Sequence, residues 1–238
     1  VQPDPKGLLD IAGVTIPLIG LYDADDAAQF APLVSPEEGR WACVFMYYKC
    51  WLRGETLHIT GDNFGCGGAG TYMFDRQTRT REEYINFLYG EEGLKADREI
   101  MARWIDGTNH YRPEHGSLFL GPLRADQYAH LKTVTFFVNP DQLALLLTGA
   151  HYRHAPGDRP PVIAPFASGC GLLAALFDDL DVPQAAIGAT DIAMRNYLPP
   201  DILAFTVTRP MFEQLCSLDQ NSFLYKPFWQ NLQEARAK

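Results

Sequence analysis

A chain of 238 residues, 47% hydrophobic and 21% charged, can bury a sizeable core and lacks the composition of a disordered segment. Its net charge of -9 and pI near 5.1 argue against nucleic acid as the main partner, because phosphate neutralisation needs clustered Lys and Arg. No polybasic stretch is present for anionic lipid, and no apolar run approaches the roughly 18 residues of a membrane span.

In chain order, Val14–Tyr22 reads as a strand anchored by Ile16, Leu18 and Leu21, with Pro17 marking an edge or a bulge, and Asp23-Ala24-Asp25-Asp26 breaking it. Trp41–Leu52 is aromatic and apolar without internal Gly or Pro, which predicts a mostly buried helix. Thr56–Thr60 alternates and predicts a short strand. A Gly-rich turn follows, then a helix start over Ala69–Phe74 and amphipathic helices over Arg79–Tyr89 and Leu94–Ile105. His110 and His115 fall in a polar loop.

Ser117–Leu120 and Leu131–Val138 predict strands, the second running into a helix over Gln142–Tyr152 with Asn139 as N-cap and Pro140 as first helical residue. Val162–Ala164, Ala185–Gly188 and Ile202–Val207 read as strands, Asp191–Tyr197 as a turn or single helical turn. Helices are expected over Leu172–Leu180, Pro210–Leu218 and Phe223–Ala235. Phe136-Phe137-Val138-Asn139-Pro140 echoes Phe205-Thr206-Val207-Thr208-Arg209-Pro210, each a strand followed by a proline-opened helix. The expected fold is therefore one α+β domain over 1–238, a mixed sheet covered by helices and compatible with a duplicated βα unit.

Two glycine-flanked cysteines stand out, in Asn63-Phe64-Gly65-Cys66-Gly67-Gly68 and Ala167-Ser168-Gly169-Cys170-Gly171. Glycine on both sides lets the backbone approach whatever the sulfur faces, and a core-filling cysteine does not require it. Five cysteines at irregular spacing (Cys43, Cys50, Cys66, Cys170, Cys216) suit thiols or metal ligands better than a disulfide framework, and favour the cytoplasm. The chain opens on Val1, which is compatible with removal of an upstream segment.

One reading is a metal or iron–sulfur centre held by Cys66 and Cys170 with Cys43 or Cys50, since thiolates are the soft ligands such centres select. Cys43 and Cys50 are seven apart and would share one face of the predicted helix; packing among Phe45, Met46, Tyr47, Tyr48 and Trp51 is the plainer role. No C-x₂-C pair supports the centre. A second reading makes Cys66 or Cys170 a catalytic nucleophile, Cys170 by its place before a helix, or the two a redox pair. Among His58, His110, His115, His130, His151 and His154, no spacing selects a partner base.

A third reading is a non-catalytic pocket for a small-molecule ligand, and a further alternative is a purely structural or partner-binding role. Asn63, Gly67, Gly68, Ser168 and Gly169 would contribute polar groups and Arg195 a clamp for a carboxylate or phosphate. Gly65 to Gly70 spells G-x-G-x-x-G, but Thr56–Thr60 stops short of it and helix follows, so no dinucleotide fold is read. Asp191 and Arg195, four apart, also suit a surface ion pair, and Cys216 a structural role. Nothing here bears on oligomeric state.

The string Gly54-Glu55, then Leu57-His58-Ile59-Thr60-Gly61-Asp62-Asn63-Phe64-Gly65-Cys66-Gly67-Gly68, resembles the uncharacterised ArCR family, a DUF169-like domain of unknown function. Phe137-Val138-Asn139-Pro140-Asp141-Gln142-Leu143, Ala164-Pro165-Phe166-Ala167-Ser168-Gly169-Cys170, and Ile187-Gly188-Ala189-Thr190-Asp191 with Arg195 extend the likeness over roughly residues 40 to 215 in the family's order. The resemblance implies a further cysteine upstream of the Gly-Glu pair, a place that Cys43 and Cys50 both suit. It carries motifs and no activity.

Overall fold

The computed structural model describes residues 3–66, 73–74, 79–107, 111–165, 177 and 179–238. Its strands are β1 (Ile19–Asp23), β2 (Leu33–Val34), β3 (Thr56–Thr60), β4 (Ser117–Pro122), β5 (Leu131–Val138), β6 (Val162–Ile163), β7 (Ala185–Gly188) and β8 (Leu203–Thr208). Its α-helices are α1 (Lys6–Ala12), α2 (Tyr48–Leu52), α3 (Arg81–Asn86), α4 (Arg98–Gly107), α5 (Pro140–His151), α6 (Arg209–Cys216) and α7 (Pro227–Arg236). The fold is α+β, with a mixed open sheet in the order β2-β3-β4-β1-β5-β8-β7-β6.

That order is the same read outward from the central β1–β5 pair in either direction. Each half runs through two antiparallel neighbours and ends in a parallel edge pair, β3 with β2 and β7 with β6. Leu33 pairs with Thr56 and Val162 with Ala185, the same sequence separation in both edge pairs. The antiparallel β1–β5 contact relates the halves by an approximate two-fold axis normal to the sheet. The duplicated unit is thus β1–β4 against β5–β8. The βα echo is local: α5 follows β5 and α6 follows β8, but these strands hold different places in the repeat.

Alternation sends side chains to two faces. Tyr22, Phe119, Val134, Phe136, Phe205 and Val207 face one core, roofed by α1, α5, α6 and α7. Asn139 caps α5 through a reciprocal pair, its Oδ1 accepting from Gln142 N–H at 2.9 Å while Gln142 Oε1 accepts from Asn139 N–H at 3.1 Å. On the other face, Ile19, Leu21, Leu57, Ile59, Leu118 and Leu120 pack beneath the connection from β2 to β3, through Ala42, Val44, Phe45, Tyr48 and Trp51. A satellite cluster of Ile85, Leu88, Met101 and Ile105 joins α3 to α4.

Two expectations change. Pro17 lies ahead of β1, which is central, so neither an edge nor a bulge is needed to accommodate it. The helix expected over Trp41–Leu52 begins late, as a 3₁₀ turn over Val44–Tyr47 that leads into α2, with Cys43 extended before it. Trp41 is half exposed while Trp51 is buried, its indole N–H donating to Leu120 O at 2.9 Å. Most of the expected helices Leu172–Leu180 and Ala69–Phe74 lies outside the described residues, and Asp179 and Leu180, which are described, are not helical. Among the described residues, no helix is long and apolar enough to cross a membrane.

Candidate functional site

The Cys66 turn leaves the end of β3 through a set of local bonds. Asn63 Oδ1 accepts from Thr60 N–H at 2.8 Å, Asn63 Nδ2 donates to His58 O at 3.1 Å, and Asn63 N–H donates to Thr60 Oγ1 at 3.2 Å. The Asn63 amide therefore shapes the turn. Gly65 then passes so close to the β2–β3 connection that a Cβ would stand 1.9 Å from Arg40 O. Glycine is required there by contact between two backbones, not by a left-handed φ. Cys66 follows, half-buried against the core that contains Cys43.

Cys43 is buried in that core, and burial pushes its thiol up to about 12. The Phe45 N–H opposes the rise, while Cys66 and Asp191 stand near enough for their charges to add to it. Cys50 has different surroundings. It is half-buried, takes a bond from Arg53 Nη2 at 3.2 Å, and has its pKa raised by burial and by Glu55. The two do not share a helical face, because the helix starts after Cys43. Cys216 packs on the opposite core, where burial pushes it too up to about 12. Cys43, Cys50, Cys66 and Cys216 carry thiols rather than disulfides.

The loop after β7 meets the same corner. Asp191 caps the 3₁₀ turn Ile192–Tyr197, its Oδ1 accepting from Ala193 N–H at 2.9 Å. Arg195 does not pair with it. Its guanidinium donates to the carbonyls of Ala189, Ile202, Pro199 and Pro200, at 3.3, 2.6, 3.2 and 2.9 Å, and so staples the 189–202 loop. Thr190 Oγ1 donates to Pro165 O at 3.1 Å, tying this loop to the segment that leaves β6. Gly67, Gly68, Ser168, Gly169 and Cys170 lie outside the described residues, as does His110.

A polar centre not anticipated from the sequence sits at the end of β1. Asp23, read as a strand breaker, is buried and accepts from Tyr111 Oη, from Glu114 N–H at 2.7 Å and from His115 N–H at 3.1 Å, with His115 Nδ1 at 3.0 Å. Burial alone would raise its pKa, but these bonds outweigh it and hold the carboxyl below the usual range. Asp23, Glu114 and His115 are the one trio among the described residues whose ligand atoms gather within 4.8 Å. The signal was Asp23's register, two residues beyond the inward-facing Ile19 and Leu21 positions.

A groove of about 330 Å³ opens on the helix-covered face between α1, α5 and α7, lined by Gly13, Asn139, Gln142, Trp229 and Leu232. The Asp141–Arg236 ion pair lies beside it, with Arg236 Nε 2.8 Å from Asp141 Oδ2. None of the cysteines lines it.

Neither a curated protein nor a solved structure matches the chain. The family model described as uncharacterised ArCR, DUF169, matches residues 16–217, which takes in every strand of the sheet and the Cys66, Cys170 and Arg195 motifs. The chain belongs to the uncharacterised ArCR family.

Proposed function

We propose that the chain binds a small ligand, a soft metal ion or iron–sulfur centre, between the Cys66 and Cys170 turns, with Cys43 as the third thiol. The reading is supported by Cys66 packing against the core that contains Cys43 and by Asp191 lying near enough for its charge to bear on the Cys43 thiol, the three coming from the connections after β2, β3 and β7. The Thr190–Pro165 bond adds to it, because it anchors the stem of the Cys170 segment beside Asp191. Thiolate is the ligand these centres select, and a bound cation displaces the proton that burial keeps on Cys43. Cys50 contributes to the Arg53–Glu55 surface cluster instead. Asn63 shapes the turn that carries Cys66, and Arg195 staples the 189–202 loop that carries Asp191. Reduced thiols of this kind suit a cytoplasmic protein.

Elemental analysis and a visible spectrum of protein purified without oxygen test the reading. Bound iron or zinc is expected, lost in Cys66→Ser and Cys170→Ser and retained in Cys50→Ser. Metal-free protein from that preparation, repeated after reconstitution with ferrous iron and sulfide or with zinc, would overturn it. Fast alkylation of Cys66 or Cys170 at mildly acidic pH in such metal-free protein would put redox or nucleophilic thiol chemistry in its place.

A further inference from the structure

Three neighbouring strands meet at the buried carboxylate of Asp23. This residue closes β1, the loop 111–116 leads into β4, and Lys132 is the second residue of β5. The Asp23 side chain has no solvent exposure, whereas Glu114 and His115 stand exposed beside it. The trio is therefore anchored in the protein on one side and open to water on the other.

A carboxylate offers about four lone-pair positions. On Asp23, Oδ2 accepts from Tyr111 Oη and Glu114 N–H, and Oδ1 accepts from His115 N–H, which leaves one position. His115 Nδ1 faces that position at 3.0 Å. Two ligands of one ion, each about 2.1 Å from it, stand roughly 3 Å apart in octahedral geometry. A cation can thus take the place of the Nδ1 proton while a neutral imidazole keeps its proton on Nε2. A carboxylate oxygen of Glu114 belongs to the same cluster, whose ligand atoms lie within 4.8 Å of one another. Ligating carboxylates are themselves held by outer hydrogen bonds, and Tyr111 Oη with the two backbone N–H groups supplies them to Asp23.

We infer that Asp23, Glu114 and His115 form a binding site for a divalent first-row transition ion, of the manganese, ferrous or zinc kind, with water in its remaining coordination positions. The imidazole favours such ions over magnesium and calcium. Three protein ligands with the other positions open to solvent are the arrangement of a centre that a substrate can reach, not of a closed structural one. Lys132 Nζ competes for Glu114, but at 3.6 Å from Oε1 it stands farther off than a tight charge-assisted bond. No ligand here is a thiol, and the inference stands whether or not the cysteines hold a metal.

Manganese chloride titrated into the full chain tests the assignment by NMR, because manganese suits carboxylate rather than thiolate ligands. Saturable paramagnetic broadening is expected, centred on Asp23 and Glu114 to Leu118 and unchanged in Cys66→Ser. Glu114→Gln and His115→Ala alter exposed positions and should each weaken binding about tenfold or more, with unmoved Leu57 and Leu120 signals reporting an intact fold. Tyr111→Phe, acting through Asp23, should weaken it about tenfold. Lys132→Met should tighten it about threefold by removing the competing charge. The His151–His154 pair, with ring centroids 5.5 Å apart, has no such buried carboxylate and serves as the internal comparison. Broadening centred on that pair, no saturable broadening at submillimolar manganese, undiminished binding in His115→Ala, equal affinity for magnesium, or loss of binding in Cys66→Ser would each overturn the inference.

Discussion

The two halves of the sheet share a strand order and a pairing register but not a packing. In the first half the inner face is Leu21, Leu57, Ile59, Leu118 and Leu120, and the connection from β2 to β3 closes on it with Val44, Phe45, Tyr48 and Trp51. In the second half the corresponding positions hold Thr135, Ala186, Gly188, Ala204 and Thr206. A two-fold repeat fixes where strands run, because backbone hydrogen bonds are indifferent to side chains. Side-chain volume then divides the labour: one half supplies apolar burial, and the other is left with small and hydroxylated positions.

The sharpest way to break this comparison is to remove the anchor of the apolar half. Trp51 is almost fully buried, bonds to Leu120 O and lies over Phe137, with ring centroids 5.8 Å apart. Trp51→Ala is expected to cost about 3–5 kcal/mol in urea unfolding, the range for truncating a buried aromatic. A loss under about 1 kcal/mol would mean that the first half is not where the burial energy lies.

The next test exchanges the character of the two inner faces. Leu120→Thr removes buried apolar surface and introduces a hydroxyl, and is expected to cost about 2–4 kcal/mol. The double change Thr135→Val with Thr206→Val removes both partners of a buried bond at constant shape and should stay within about 1 kcal/mol of the parent. Equal losses would erase the distinction. Gly65→Ala follows in size. Its Cβ would meet the Arg40 backbone rather than a flexible side chain, so the Cys66 turn and the β2–β3 connection must move apart, at about 1–3 kcal/mol.

How much of this was readable from the chain depends on the range of the interaction that decides it. Thr56–Thr60 and Ala185–Gly188 match their strands because alternation and flanking turns are local signals. Asn139 and Pro140 foretold the start of α5 for the same reason, since the whole cap lies within four residues. Leu33–Val34 was missed: two residues carry no period, and its pairing with β3 is a tertiary fact. The true repeat was hidden because the halves differ at the inward positions, Leu120 against Thr206, where a repeat would have shown. Asp23 was misread for a related reason. An aspartate after a strand ordinarily signals a turn, and only the loop bearing Tyr111, Glu114 and His115 makes its burial tolerable. For the cysteines, glycine flanking did mark the tight Gly65 approach, whereas spacing along an assumed helix misjudged Cys50.

The smallest expected loss from a single substitution tests the one polar position on the apolar side. Asp23 corresponds under the two-fold to Phe137, so one half carries a buried carboxylate where the other carries a ring. Asp23→Asn keeps the shape but turns an NH₂ toward groups that already donate, and at neutral pH should cost about 1–2 kcal/mol. Because the native pKa lies below the ordinary 3.8, the carboxylate's contribution is complete above that value and is lost as pH falls from 3.8 through the native pKa. The stability gap between parent and Asp23→Asn, measured by urea unfolding at pH 7 and again near pH 3, should therefore narrow on acidification. A gap that is unchanged between the two pH values would mean that Asp23 holds the 111–116 loop by shape alone, and the two halves would then differ in volume but not in charge.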